Sequence, residues 1–160
     1  MSPPEGARRG DVIHHGGMGS DGGSGRRPLT PTERALLDSL LDHDFDGVDA
    51  LRAQARVVTA STGCECGCVT IDLHVPDDAP MSSADGPVPL EGTVVDAAGE
   101  VIGGVQVFLA DGRLAGLEVH SLDEPVPVVP SPELVSWESW TDPPVDDRPS
   151  IWQRLRSRPA

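Results

Sequence analysis

The sequence predicts an α+β fold, with two N-terminal helices packed on a small, mainly antiparallel β-meander sheet between disordered tails. Leu36, Leu37, Leu40 and Leu41 recur at helical spacing. Val69, Ile71, Leu73 and Val75 alternate with Thr70, Asp72 and His74, the period of a half-buried strand. Three more apolar runs, 90–95, 101–109 and 114–120, are divided by the turn-forming pairs Ala98-Gly99 and Asp111-Gly112. One acidic α+β domain is therefore expected at 29–122. A Gly-rich disordered tail (1–28) precedes it and a Pro-rich, largely irregular tail (123–160) follows it.

Order begins at Thr30. Thr30-Pro31-Thr32-Glu33 reads as an N-cap, a proline at the first helical position and a glutamate at N3, which together make a capping box. A shorter helix is expected over 48–55, capped by Asp46, with Val48 and Leu51 facing inward. Residues 57–60 read as a short strand. Register in the meander follows from its turns. A two-residue Asp111-Gly112 loop would pair Val107 with Gly116. A three-residue loop with Gly112 left-handed would pair Leu109 with Arg113 and Val107 with Ala115. The second gathers Val105, Val107, Leu109, Ala115, Leu117 and Val119 on one face, so the bulged hairpin is the expected one. A two-residue Ala98-Gly99 loop sets Gly92 opposite Val105 and Leu90 opposite Val107, and buries the same face. In the C-terminal tail, Trp137 or Trp140 is expected to dock on the sheet edge. Residues 151–158 read as a short basic amphipathic segment, either a frayed terminus or a partner-binding segment in which Trp152 and Leu155 are the candidate contact side chains.

Charge narrows the function classes. The chain carries a formal charge of −14, with a net +1 over 1–28 and −1 over 125–160, so the acidity sits in the domain. Such a surface repels phosphate backbones and anionic lipid, which argues against nucleic-acid and membrane binding; it would attract a basic protein partner, although solubility alone also accounts for it. Lys, Tyr and Asn, all with AT-rich codons, are absent, which points to a GC-rich genome such as an actinomycete's. The first thirty residues hold no apolar signal core, and no run approaches the ~18 apolar residues of a membrane span. A cytoplasmic location, with reduced thiols, is the expectation. Met18 stands beside Met1 as a second candidate start.

Few motifs carry chemistry. Asp42-His43-Asp44-Phe45-Asp46-Gly47 copies the opening of a calcium loop, but Ala53 stands where the bidentate glutamate belongs. A helix end, an acidic connector and a cap explain those residues without a metal. Gly63-Cys64-Glu65-Cys66-Gly67-Cys68 is the most unusual stretch. Cys64, Cys66 and Cys68 at C-x-C-x-C spacing offer three soft ligands for zinc or copper, with His74 as the candidate fourth. In an extended strand the outer two thiols would lie ~13 Å apart, so chelation requires the segment to curl. Otherwise these cysteines serve as small apolar packing residues. Redox responsiveness is a further reading, opposed by Glu65, whose charge would raise neighbouring thiol pKa values. No nucleophile–base set, nucleotide fingerprint or H-E-x-x-H motif occurs, so the sequence leans away from an enzyme. Asp72 and His74 share one side of their strand, both toward solvent.

From Thr30 to about Leu134 the chain resembles a family of small actinobacterial proteins. The carrying residues are the four leucines, Cys64–Cys68 running into Val69–Leu73, Asp111-Gly112-Arg113-Leu114 with Leu117-Glu118-Val119, and Pro130-Ser131-Pro132-Glu133-Leu134. That family has no assigned activity, so the resemblance implies domain limits and no function. The expected function is a non-enzymatic protein-interaction module. The alternative is a metal-binding or redox-responsive protein built on the thiol cluster, with zinc as the cofactor.

Overall fold

The computed structural model describes residues 25–65 and 68–140. Expectations for 1–24, Cys66, Trp152 and Leu155 fall outside the described residues. Over those described, the chain is α+β, with two helices and a seven-stranded antiparallel sheet. In chain order the elements are β1 (Arg27–Pro28), α1 (Pro31–Leu41), α2 (Val48–Ala55), β2 (Thr59–Thr62), β3 (Ile71–His74), β4 (Pro87–Val95), β5 (Val101–Ala110), β6 (Arg113–Ser121) and β7 (Val135–Ser139). The strands lie in the order β1-β2-β3-β6-β5-β4-β7.

The capping box forms as expected. Thr30 Oγ1 accepts from the Glu33 amide (3.2 Å), and Glu33 Oε2 accepts from the Thr30 amide (2.8 Å). Leu36, Leu37, Leu40 and Leu41 are all buried, and Arg34 Nη1 ties the helix to the last carbonyl of α2, that of Ala55. The cap of α2 differs from expectation. It is Gly47, left-handed at φ 85° and making no side-chain cap bond, rather than Asp46. The 82–84 loop presses on this position: its carbonyl accepts from Ser82 Oγ (2.9 Å), and a Cβ here would stand 2.9 Å from the Ala84 amide.

Strands β4, β5 and β6 form the expected meander, but each of its turns has the geometry expected of the other. Asp111 and Gly112 make a two-residue turn with both φ positive (51° and 69°), the primed geometry that matches strand twist. Ala110 pairs with Arg113 and Leu109 with Leu114. A bulge at Ala115 then sets Phe108 against Gly116 and Val107 against Leu117. The expected face survives for Val105, Val107, Leu109, Leu117 and Val119, while Leu114 replaces Ala115 in the core. The β4–β5 turn is the longer one. Asp96 and Glu100 bracket it through the Asp96 amide and Glu100 carbonyl (2.9 Å), with Gly99 left-handed at φ 85°. Asp96 Oδ1 accepts from the Ala98 and Glu100 amides, which rigidifies this longer loop. Gly92 still lies opposite Val105.

The sheet also runs past the 29–122 limits on both sides. Pro28 pairs with Thr59 as the outer edge, and β7 pairs along β4 from Leu90–Ser139 to Val94–Val135. Trp137 is the tryptophan that docks. It lies over Gly92, where a Cβ would come within 2.8 Å of the ring, and its Nε1 donates to Ser39 Oγ of α1 (3.0 Å). Trp140 remains 52% exposed.

One buried amide joins these parts. Gln54 on α2 has 0% exposure. Its Nε2 donates to the carbonyls of Pro80 (2.7 Å) and Gly112 (2.8 Å), and its Oε1 accepts from the Leu114 amide (2.9 Å). The Gly112 carbonyl also accepts from the Ser82 amide (2.8 Å). Any side chain at 112 would collide with the Ser82 carbonyl, 2.5 Å from an added Cβ. Helix, loop and hairpin turn thus meet at one satisfied polar junction.

Edge strand β1, besides pairing with β2, is tied to α1 by an ion pair. Arg27 Nη1 and Nη2 each donate at 2.7 Å to one oxygen of Glu33, whose side chain is only 4% exposed. The guanidinium, together with the Thr30 amide, holds the Glu33 carboxyl below its ordinary value against the opposing effect of burial. A depressed carboxyl stabilises the fold above its unfolded value, about 4.3, and loses that contribution as pH falls through the folded value. Urea midpoints followed downward from pH 6 should therefore fall through this range. The acid limb should flatten in Glu33→Gln, and an unaltered acid limb in that variant would contradict the assignment.

Candidate functional site

The thiol segment is the tip of the β2–β3 hairpin. Thr62 pairs with Ile71, and the Gly63 amide donates to the Thr70 carbonyl (3.1 Å), closing a loop that spans 64–69. Strand β3 starts at Ile71 rather than Val69. Against the expectation of reduced thiols, Cys64 is disulfide-bonded. The Cys68 thiol is held below its ordinary value by hydrogen bonds from the Thr70 side chain and then its backbone, against desolvation and the Glu118 charge. The acid acting on this thiol is therefore Glu118 on the neighbouring strand, and Thr70 outweighs it.

His74 is not brought to the thiols. It pairs with Thr59 at the far end of β3, three residues beyond Ile71, or ~10 Å along an extended strand. Its Nε2 lies 2.7 Å from Ser61 Oγ on β2. Sequence reading paired His74 with Asp72 and missed Ser61, because only the antiparallel register of β2 and β3 makes them neighbours. Among the described residues no group of three or more His, Cys, Asp or Glu side chains is arranged to hold a metal ion. In the acidic connector after α1, Arg52 supplies the cation. Its Nη2 and Nη1 sit 3.0 Å from Asp44 and Asp49, and its Nε donates to the Leu41 carbonyl (2.8 Å).

The larger feature is the sheet face turned away from the helices. Buried Leu90, Val105, Val107, Leu117 and Val119 point to the core, so Glu91, Gln106 and Glu118 project from the opposite face. Register aligns them. Glu138 lies opposite Glu91, Glu91 opposite Gln106, and Gln106 opposite Glu118. Gln106 donates to the Val88 and Leu90 carbonyls (3.1 and 3.3 Å), bracing the irregular start of β4. At one end of this row Glu91, Thr93, Glu138, Ser139 and Trp140 line a shallow cleft of about 360 Å³. Among the described residues no helix is long and apolar enough to cross a membrane.

No protein-family model matches the chain, and neither a curated protein nor a solved structure matches it.

The Thr70–Cys68 contact has a direct readout. Alkylation of Cys68, followed by peptide mass spectrometry across pH, should show a midpoint below the ordinary value of about 8.5. Thr70→Val should move that midpoint upward. An unchanged midpoint in the variant would remove Thr70 as the cause.

Proposed function

We propose that this chain is a non-enzymatic interaction module that holds a basic segment of another protein on the open face of its sheet. The observation that supports the reading most is the in-register row Glu138–Glu91–Gln106–Glu118. Like charges directly opposite on one sheet face destabilise it by roughly 0.2–1 kcal/mol per pair, and the Glu138–Glu91 pair is of this kind. A cationic partner relieves that repulsion, and the surplus of negative charge speeds its approach. Trp140, half exposed beside the two glutamates, suits a guanidinium or ammonium stacked on its ring. The reading is that of a small actinobacterial protein acting in the cytoplasm, in line with its composition.

A second reading uses the hairpin tip. A disulfide at Cys64 beside the lowered thiol of Cys68 suits a metal-binding or redox-responsive loop formed by Cys64, Cys66 and Cys68, with zinc bound in the reduced state. Stoichiometric zinc in protein purified without chelator, lost in a triple Cys→Ser variant, would favour it over the first.

The first reading is tested with an arginine-rich peptide titrated into the full chain and into a Glu91→Gln, Glu118→Gln, Glu138→Gln variant. Binding should weaken at least about tenfold in the variant and with added salt, while the variant's own melting temperature rises at low ionic strength. Equal peptide affinity in the two proteins would overturn the reading.

A further inference from the structure

We infer that the cleft at the β1 end of the sheet binds a small organic oxyanion. This cleft, of about 520 Å³, lies where the ends of β2, β3 and β6 meet the residue before β1, and its lining includes Arg26, Val57, Thr59, His74, Asp77 and Arg113. Three groups able to carry positive charge thus share one concavity in a chain of net charge −14.

Their pairing points to a ligand. Among the described residues the ion pairs are made by Arg27 and Arg52, and neither Arg26 nor Arg113 has a carboxylate within salt-bridge distance. Asp77 lines the same cleft, yet what it offers Arg113 is its backbone carbonyl, 3.0 Å from Nη2. That bond fixes the guanidinium plane, while the buried Arg113 Nε has no hydrogen-bond partner among the described residues. The Ser61 hydroxyl at 2.7 Å similarly fixes the His74 ring. The planar Arg113 fork, held in place and lacking a carboxylate, with the Arg26 guanidinium at the cleft edge, matches the geometry of a carboxylate or phosphate group.

Charge sets the size of the ligand. A polyanion would feel the whole acidic surface, whereas a small anion inside the cleft responds to groups within a screening length of about 8 Å. Val57, 51% exposed on the cleft wall, gives a short apolar body a surface to lie on. The ligand class is therefore a small anion with one oxyanion head and a short aliphatic part, not a nucleic acid.

The test is an amide-resolved NMR titration of the full chain with inorganic phosphate and, separately, with butyrate. Saturable shifts at Thr59, His74 and Ala115 are expected with at least one probe, and the tighter one identifies the head group. Arg26→Gln, at the exposed edge of the cleft, should weaken binding about tenfold. Arg113→Lys, which keeps the charge but loses the fork, should weaken it as well. No saturable shift with either probe up to about 20 mM, where a millimolar site would be nearly full, would overturn the inference. So would unchanged affinity in Arg26→Gln.

Discussion

Gln54 is the interaction on which the rest of the arrangement depends. It is a side-chain amide fully withdrawn from water, and three of its four hydrogen-bonding positions are filled by backbone groups from two other segments. A single net hydrogen bond contributes only about 1 kcal/mol, but leaving a buried group unpaired costs about 1–3 kcal/mol. Removing this amide would strand the Pro80 carbonyl and the Leu114 amide together. The junction therefore selects one geometry: α2 against the hairpin turn, with the 76–86 loop locked between them. Ser82 repeats the logic by reaching Gly47 on one side and Gly112 on the other.

With helices, loop and turn committed to one side, no helix covers the opposite face of the sheet among the described residues, and its chemistry follows from strand parity. Each core residue in β4, β5 and β6 forces its neighbour outward, and register lines the outward residues into rows across the strands. One row is acidic. At the far corner, where β1 joins the sheet, the same face carries arginines and a histidine instead. The two proposed binding functions are thus separated on one surface, cations drawn to one end and small anions to the other. Both depend on an edge strand, β7 for the acidic cleft and β1 for the cationic one.

Local signals were legible in the sequence. The capping box, the leucine face and the meander's buried face each rest on residues adjacent in the chain. The turns were harder, because Asp-Gly suits both a primed two-residue turn and a bulged loop, and the choice was made by a bulge at Ala115 that no local pattern marks. Edge strands β1 and β7 were illegible for another reason. Pro28 gives β1 no alternating apolar signal, and the Val135-Ser136-Trp137-Glu138 alternation of β7 is only four residues long behind a Pro-rich run. These strands are fixed where Arg27 finds Glu33 and Trp137 finds Gly92 and Ser39. The site followed the same division. The Ser61–His74 contact and the acidic row needed strand register, which is a long-range fact.

Native-state hydrogen exchange tests the central claim most directly, by asking whether the Gln54 junction opens on its own. The Leu114 and Ser82 amides, both bonded at the junction, should exchange only through global unfolding, with the same opening free energy as the central amides of β5. Exchange of these two amides orders of magnitude faster than β5, by local opening of the 76–86 loop, would contradict the account.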